Sequence, residues 1–141
     1  MKNKSATSAY EKSSLEAKVM GETPHGLVRI LLEKLCEKLT LAYDGYVVFE
    51  NNPGQELNPS MTKYLLDASK IIGILNSSLI KDHDEELFNH LNHLHRYIQY
   101  HIVLTVQNQK SLHVKNALEM AQELLSMWTA IPEDFHRISA A

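Results

Sequence analysis

The stretch MGETPHGLVRILLEK, residues 20–34, decides how the whole chain is read. Thr23 can cap a helix, Pro24 fits the first helical position where its missing N–H costs nothing, and apolar residues follow at helical spacing. Leu27, Leu31, Leu35, Leu39, Tyr43 and Tyr46 recur every three or four residues, which is one face of an α-helix. The helix should end near ENNPGQ, residues 50–55, where Pro53 and Gly54 interrupt it. Upstream lie mostly polar residues that nonetheless carry Tyr10, Leu15, Val19 and Met20.

Three more segments have the same period, and none alternates like a strand. The second opens at NPSM, with Asn58 as cap and Pro59 at the first position, and carries Met61, Leu65, Ala68, Ile72, Leu75 and Leu79. The third opens in DHDEEL, where Asp82 and Glu85 have capping-box spacing and the acidic first turn suits the helix dipole. Its stripe is Leu87, Leu91, Leu94, Ile98 and Ile102. The fourth runs from Ser111 through Val114, Leu118, Ala121, Leu125 and Trp128 to Ile131, just before Pro132.

Links of about eight, three or four, and four residues are too short for anything but sequential neighbours lying antiparallel. The expected fold is all-α: an antiparallel up-down-up-down four-helix bundle over residues 23–131, an N-terminal arm (1–22) packed on it, and a C-terminal tail (132–141).

Two helices have more apolar surface than a bundle core uses. The third reads YIQYHIVLTV over residues 97–106. Ile98 and Ile102 can face the core, which leaves Tyr97, Tyr100, Val103 and Leu104 partly off the stripe. The second helix holds Tyr64, Ile71 and Ile74 beside its core line, with Gly73, Ser77 and Ser78 small enough to leave a shallow groove. A helix apolar nearly all round is either the most central one or offers a binding surface. The irregular spacing of Tyr10, Leu15, Val19 and Met20 suits a segment laid across such a groove, and equally a permanently docked arm or a frayed tail. Trp128 reads as core packing, while the hydroxyl of Tyr97 favours a place with one wet side.

Composition narrows the function. The chain has 141 residues, 44% hydrophobic and 22% charged, with a net charge of −3. Its Lys and Arg are dispersed, without the basic stripe of a nucleic-acid binder or of a membrane-surface helix. Apolar runs such as residues 30–32 and 102–104 are far too short to span a bilayer. The start MKNKSATS lacks a signal-peptide segment, so a cytoplasmic location is expected. The single Cys36 excludes an internal disulfide and reads as a small helix residue rather than a reactive thiol.

Eight histidines raise the question of a metal. Glu86, His90, His93 and His101 could share a face of the third helix, but the other helices hold no matching Glu-x-x-His, so no metal or other cofactor is expected. His25 reads as a capping or packing residue. There is no G-x-S-x-G, P-loop or dinucleotide turn, and Glu85 and Glu86 are explained by the helix dipole, so an enzyme is not expected.

The ordered series of segments resembles the flagellar secretion chaperone family. SAYEKSSLEAKVMGETPHGLVRILLE is similar to the family's tyrosine, spaced acidic and apolar residues, then A-S-P-H-x-L-I-x-M-L-(Y/F). The matching positions include Tyr10, Glu16, Val19, Met20, Pro24 and His25. ASKIIGILNSSL resembles K-A-x-x-I-I-x-x-L-x-x-x-L, EELFNHLNHLHRYI resembles E-L-x-x-N-L-x-x-L-Y-x-Y-(M/I), and LLSMW resembles the family's last helix through Trp128. The chain departs from the pattern at Lys34, Asn76, Ile80 and Val106.

The resemblance implies a cytoplasmic export chaperone that binds the disordered C-terminal segment of flagellin, blocks its premature polymerisation and keeps it export-competent. The departures leave open a paralogue with another flagellar client or regulator. The candidate contact residues are Tyr10, Leu15, Val19 and Met20 in the arm, with Tyr64, Ile71, Ile74, Tyr97, Tyr100, Val103 and Leu104 on the second and third helices.

Overall fold

The computed structural model describes residues 24–79 and 85–130. Thr23 and Asp82, two of the three expected caps, lie outside the described residues, as do the arm, the tail, Ile80 and Ile131. The described residues form four α-helices and no strand: α1 Pro24–Glu50, α2 Ser60–Ser77, α3 Glu85–Asn108 and α4 Ser111–Ala130.

Each element follows from local chemistry. Asn58 Oδ1 accepts the Ser60 N–H at 2.9 Å, and Pro59 already has helical dihedrals (φ −56°, ψ −23°), so the cap and first position of α2 are those expected. Glu85 and Glu86 occupy the first turn of α3. Gly54, at φ 91°, supplies the backbone that the turn after α1 demands and that a side chain would resist.

α1 packs between α2 and α4, and α3 closes the far side against the same two helices. The core runs along Leu31, Leu35, Leu39 and Tyr46 of α1, Leu65 and Ile72 of α2, Ile98 and Ile102 of α3, and Val114 and Leu124 of α4. Burying each such side chain contributes about 1.5–3 kcal/mol. At Gly45 α1 and α2 approach so closely that an added Cβ would overlap the Met61 thioether.

α2 and α3 meet differently. Theirs is the least extensive of the four contacts, and the core face of α3 includes buried His95 and Thr105. Thr105 Oγ1 donates to the His101 carbonyl at 2.7 Å, which satisfies it within its own helix. His95 Nδ1 faces Asn76 Oδ1 at 3.0 Å.

Two details differ from expectation. The link between α3 and α4 is only Gln109 and Lys110, because Gln109 takes a left-handed backbone (φ 53°) while its N–H still reaches the Thr105 carbonyl at 2.8 Å. Leu87, expected in the core stripe, is 46% exposed. The His95–Asn76 bond sets the level of the two helices, and α2 ends one residue later at Ser77. Leu87 lies eight residues, about two turns, before His95, beyond the level at which α2 ends.

Candidate interaction surface

On α3, Tyr100 is 60% and Val103 49% exposed, and Val106 is similarly open. On α2, Leu66 and Ile74 are about half exposed. Each of these side chains leaves apolar area in water that the core does not use.

Hydrogen bonds join α2 to α3 beneath part of this surface. Ser69 Oγ donates to Gln99 Oε1 at 2.8 Å, and Gln99 Nε2 returns a bond to the Ser69 carbonyl at 3.1 Å. Val103 and Val106 lie four and seven residues after Gln99, on its face of α3, and Leu66 lies three before Ser69, on its face of α2. These three therefore border the α2–α3 seam. A Cβ added at Gly73 would meet nothing within 4 Å, so the seam is open there. Ser77 and Ser78 turn their hydroxyls back onto the carbonyls of Ile74 and Leu75.

The other candidates divide between different flanks. The Lys38 ammonium lies 5.7 Å from the centre of the Tyr64 ring and 3.6 Å from Asp67, so Tyr64 belongs to the α1–α2 side, half-buried. Ile71 is only 9% exposed and is part of the core. Tyr97 and Tyr100 both pack on His101, with ring centres 4.3 and 5.5 Å away, and His101 stacks on His113 of α4 at 6.2 Å. Leu104, seven residues after Tyr97 and half-buried, shares that α4 side. Tyr10, Leu15, Val19 and Met20 lie outside the described residues. Leu66 and Val106 are contact candidates that the periodicity reading passed over; the signal was a second leucine beside the core Leu65, and a valine where α3 should already be turning polar.

The titratable groups are packing groups here. Burial lowers His95 to about 4, so it is neutral at physiological pH. His101 is lowered by burial and then by His113. Nδ1 of both His101 and His113 is buried without a hydrogen-bond partner, while His113 Nε2 faces the Asn108 amide at 3.4 Å. Burial, with Glu33 nearby, pushes the Cys36 thiol up to about 11, which keeps it protonated and unreactive. His90 and His93 are exposed, and among the described residues no three His, Cys, Asp or Glu side chains group to hold a metal ion. No described helix is long and apolar enough to cross a membrane.

The family described as Flagellar protein FliS matches residues 6–134. The chain is also 24% identical over 133 residues to a protein of Vibrio cholerae serotype O1 (strain ATCC 39315 / El Tor Inaba N16961) named flagellar secretion chaperone FliS. That match covers 94% of this chain and 93% of the relative. No solved structure matches the chain. With the match covering most of the chain and every described residue, the chain belongs to the Flagellar protein FliS family.

Proposed function

We propose that the chain is a cytosolic flagellar secretion chaperone, as its Vibrio cholerae relative is named, and that its client is the C-terminal segment of flagellin. The family is one of chaperones and not of enzymes. The observation that carries the reading is the surplus of large apolar side chains, Ile74, Tyr100 and Val103 among them, left about half or more in water on α2 and α3. A disordered client pays several kcal/mol to become ordered, and burial of such side chains is the term that can offset it.

The bundle that presents them is taken to be antiparallel throughout. Ser69 meets Gln99 while Asn76 meets His95, and Lys38 meets Asp67 while Gly45 meets Met61, so rising numbers face falling numbers in both pairs. The arm carrying Tyr10, Leu15, Val19 and Met20 is proposed to cover part of the apolar surface until the client arrives. Client contact is drawn from Tyr64, Ile71, Ile74, Tyr97, Tyr100, Val103 and Leu104, spread over more than one flank of α2 and α3.

Calorimetry against flagellin from the same cell, with and without its last 40 or so residues (roughly two helices of client), tests the reading. Saturable binding that the truncation abolishes is expected. Equal binding by both forms, or by neither, refutes flagellin's C-terminal segment as client. Deleting residues 1–20 should raise dye-detected apolar surface, and an unchanged dye signal with unchanged client affinity refutes the cover role.

A further inference from the structure

Among the described residues, Arg29, Lys34, Lys38 and Lys115 each pair with a carboxylate. Lys63, Lys70 and Arg96 pair with none, and all three are exposed on α2 and α3. In a chain of net charge −3, a face with cations and no matching acids is a local reversal. Asp67 turns toward Lys38 of α1, and Glu85 and Glu86 are confined to the first turn of α3, so no carboxylate lies along the middle of this face.

The placement is regular. Lys63 and Lys70 are seven residues apart, two turns or about 10 Å on one face of α2, and they bracket Leu66. Arg96 and Val103 have the same spacing on α3. The Ser69–Gln99 bridge brings Leu66 and Val103 to the same seam. The result is an apolar strip with a polar floor, lysines along one rim and arginine on the other.

We propose that this face is a docking strip for an amphipathic helix of a partner protein. The helix lays its apolar stripe along Leu66, Val103 and Val106 and presents carboxylates on its flanks to Lys63, Lys70 and Arg96. Charge complementarity selects this occupant. A second copy of the chain would set the same cations against each other across a two-fold axis, and a basic helix would meet them head-on. The inference deepens the client reading and rests on it for the guest's identity: the guest is an acid-flanked helix in a groove.

Two synthetic helical peptides of about 20 residues test it, identical in their apolar stripe, one with glutamate and one with lysine on the flanks. Binding to the full chain is followed by fluorescence anisotropy at about 30 mM and 0.3 M salt. The glutamate peptide should bind at least about tenfold more tightly at low salt, and the preference should shrink at high salt. The variant K63E/K70E/R96E should reverse the preference, while K34E/K115E, on α1 and α4, should keep it. Circular dichroism confirms that these surface variants remain folded.

Equal binding of the two peptides, or a preference that survives K63E/K70E/R96E, overturns the proposal. Flagellin that binds wild type and K63E/K70E/R96E equally upholds the client reading and overturns the strip. A glutamate peptide that shows the full pattern while flagellin does not bind upholds the strip and moves the search to another flagellar guest.

Discussion

Replacing His95 with glutamine should remove a pH dependence that the wild-type fold carries. His95 is 6% exposed, and burial lowers it from 6.5 to about 4. The unfolded chain takes up a proton on this imidazole below pH 6.5, whereas the folded chain refuses it until about pH 4. The contribution is therefore complete above pH 6.5, declines as the pH falls, and is exhausted below about 4. One pH unit within that window is worth about 1.4 kcal/mol, so the whole window is worth about 3 kcal/mol. That is a large part of the 5–15 kcal/mol or so that holds a domain of this size together. Urea unfolding of both proteins at about pH 7.5, 6.5, 5.5 and 4.5 reads it out, as a wild-type midpoint falling by about 1–2 M more than that of H95Q. His101 is lowered too, and carboxylates titrate at the acid end, so the comparison between the two proteins isolates His95. Parallel midpoint curves would refute the claim that a buried neutral imidazole holds this seam.

Glu50→Ala should lower stability by about 1–2 kcal/mol in thermal unfolding, because its carboxylate accepts both the N–H and the hydroxyl of Ser111 and so caps α4 from the end of α1. Gln109→Gly should raise stability by about 0.5–1 kcal/mol in the same assay, since glycine adopts the left-handed backbone at φ 53° without a Cβ penalty. Ile98→Ala, at a fully buried position, should cost about 2–5 kcal/mol by urea unfolding. The double variant Y100S/V103S should stay within about 0.5 kcal/mol of wild type yet weaken client capture in calorimetry, because Tyr100 is 60% and Val103 49% exposed. Undiminished capture would remove them from the contact.

Wherever the information is local, the chain announces its structure. Asn58 and Pro59 open α2 as their chemistry requires, and the leucines at 31, 35 and 39 are buried where a 3.6-residue period puts them. The failures share a cause: they depend on residues far apart in the chain. Glu50 reaches Ser111 across 61 positions, and no motif in either segment hints at it. Leu87 fits its helix's stripe but not the bundle, because α2 stops short beside it. The turn at Gln109 has neither glycine nor proline, so the end of α3 carried no ordinary stop signal. The aromatic and aliphatic surplus of α3 was legible as surplus. Its division, with Val103 toward α2 and Tyr97 toward α4, needed the position of the neighbouring helices.

The polar seam between α2 and α3 bears on how a bundle can expose apolar side chains and still fold to one structure. A hydrogen bond in a protein contributes only about 1 kcal/mol net, but it demands a particular partner at a particular height. Two such links, Ser69 with Gln99 and Asn76 with His95, hold the helices in register. Slipping α3 by one turn would strand His95 beneath the surface without its partner, a penalty of about 1–3 kcal/mol. Half of the buried leucines come from α1, which packs on both α2 and α4, and none comes from the outer faces of α2 and α3. Leu66 and Val103, half in water, can thus be buried by a guest without competing with the fold that presents them.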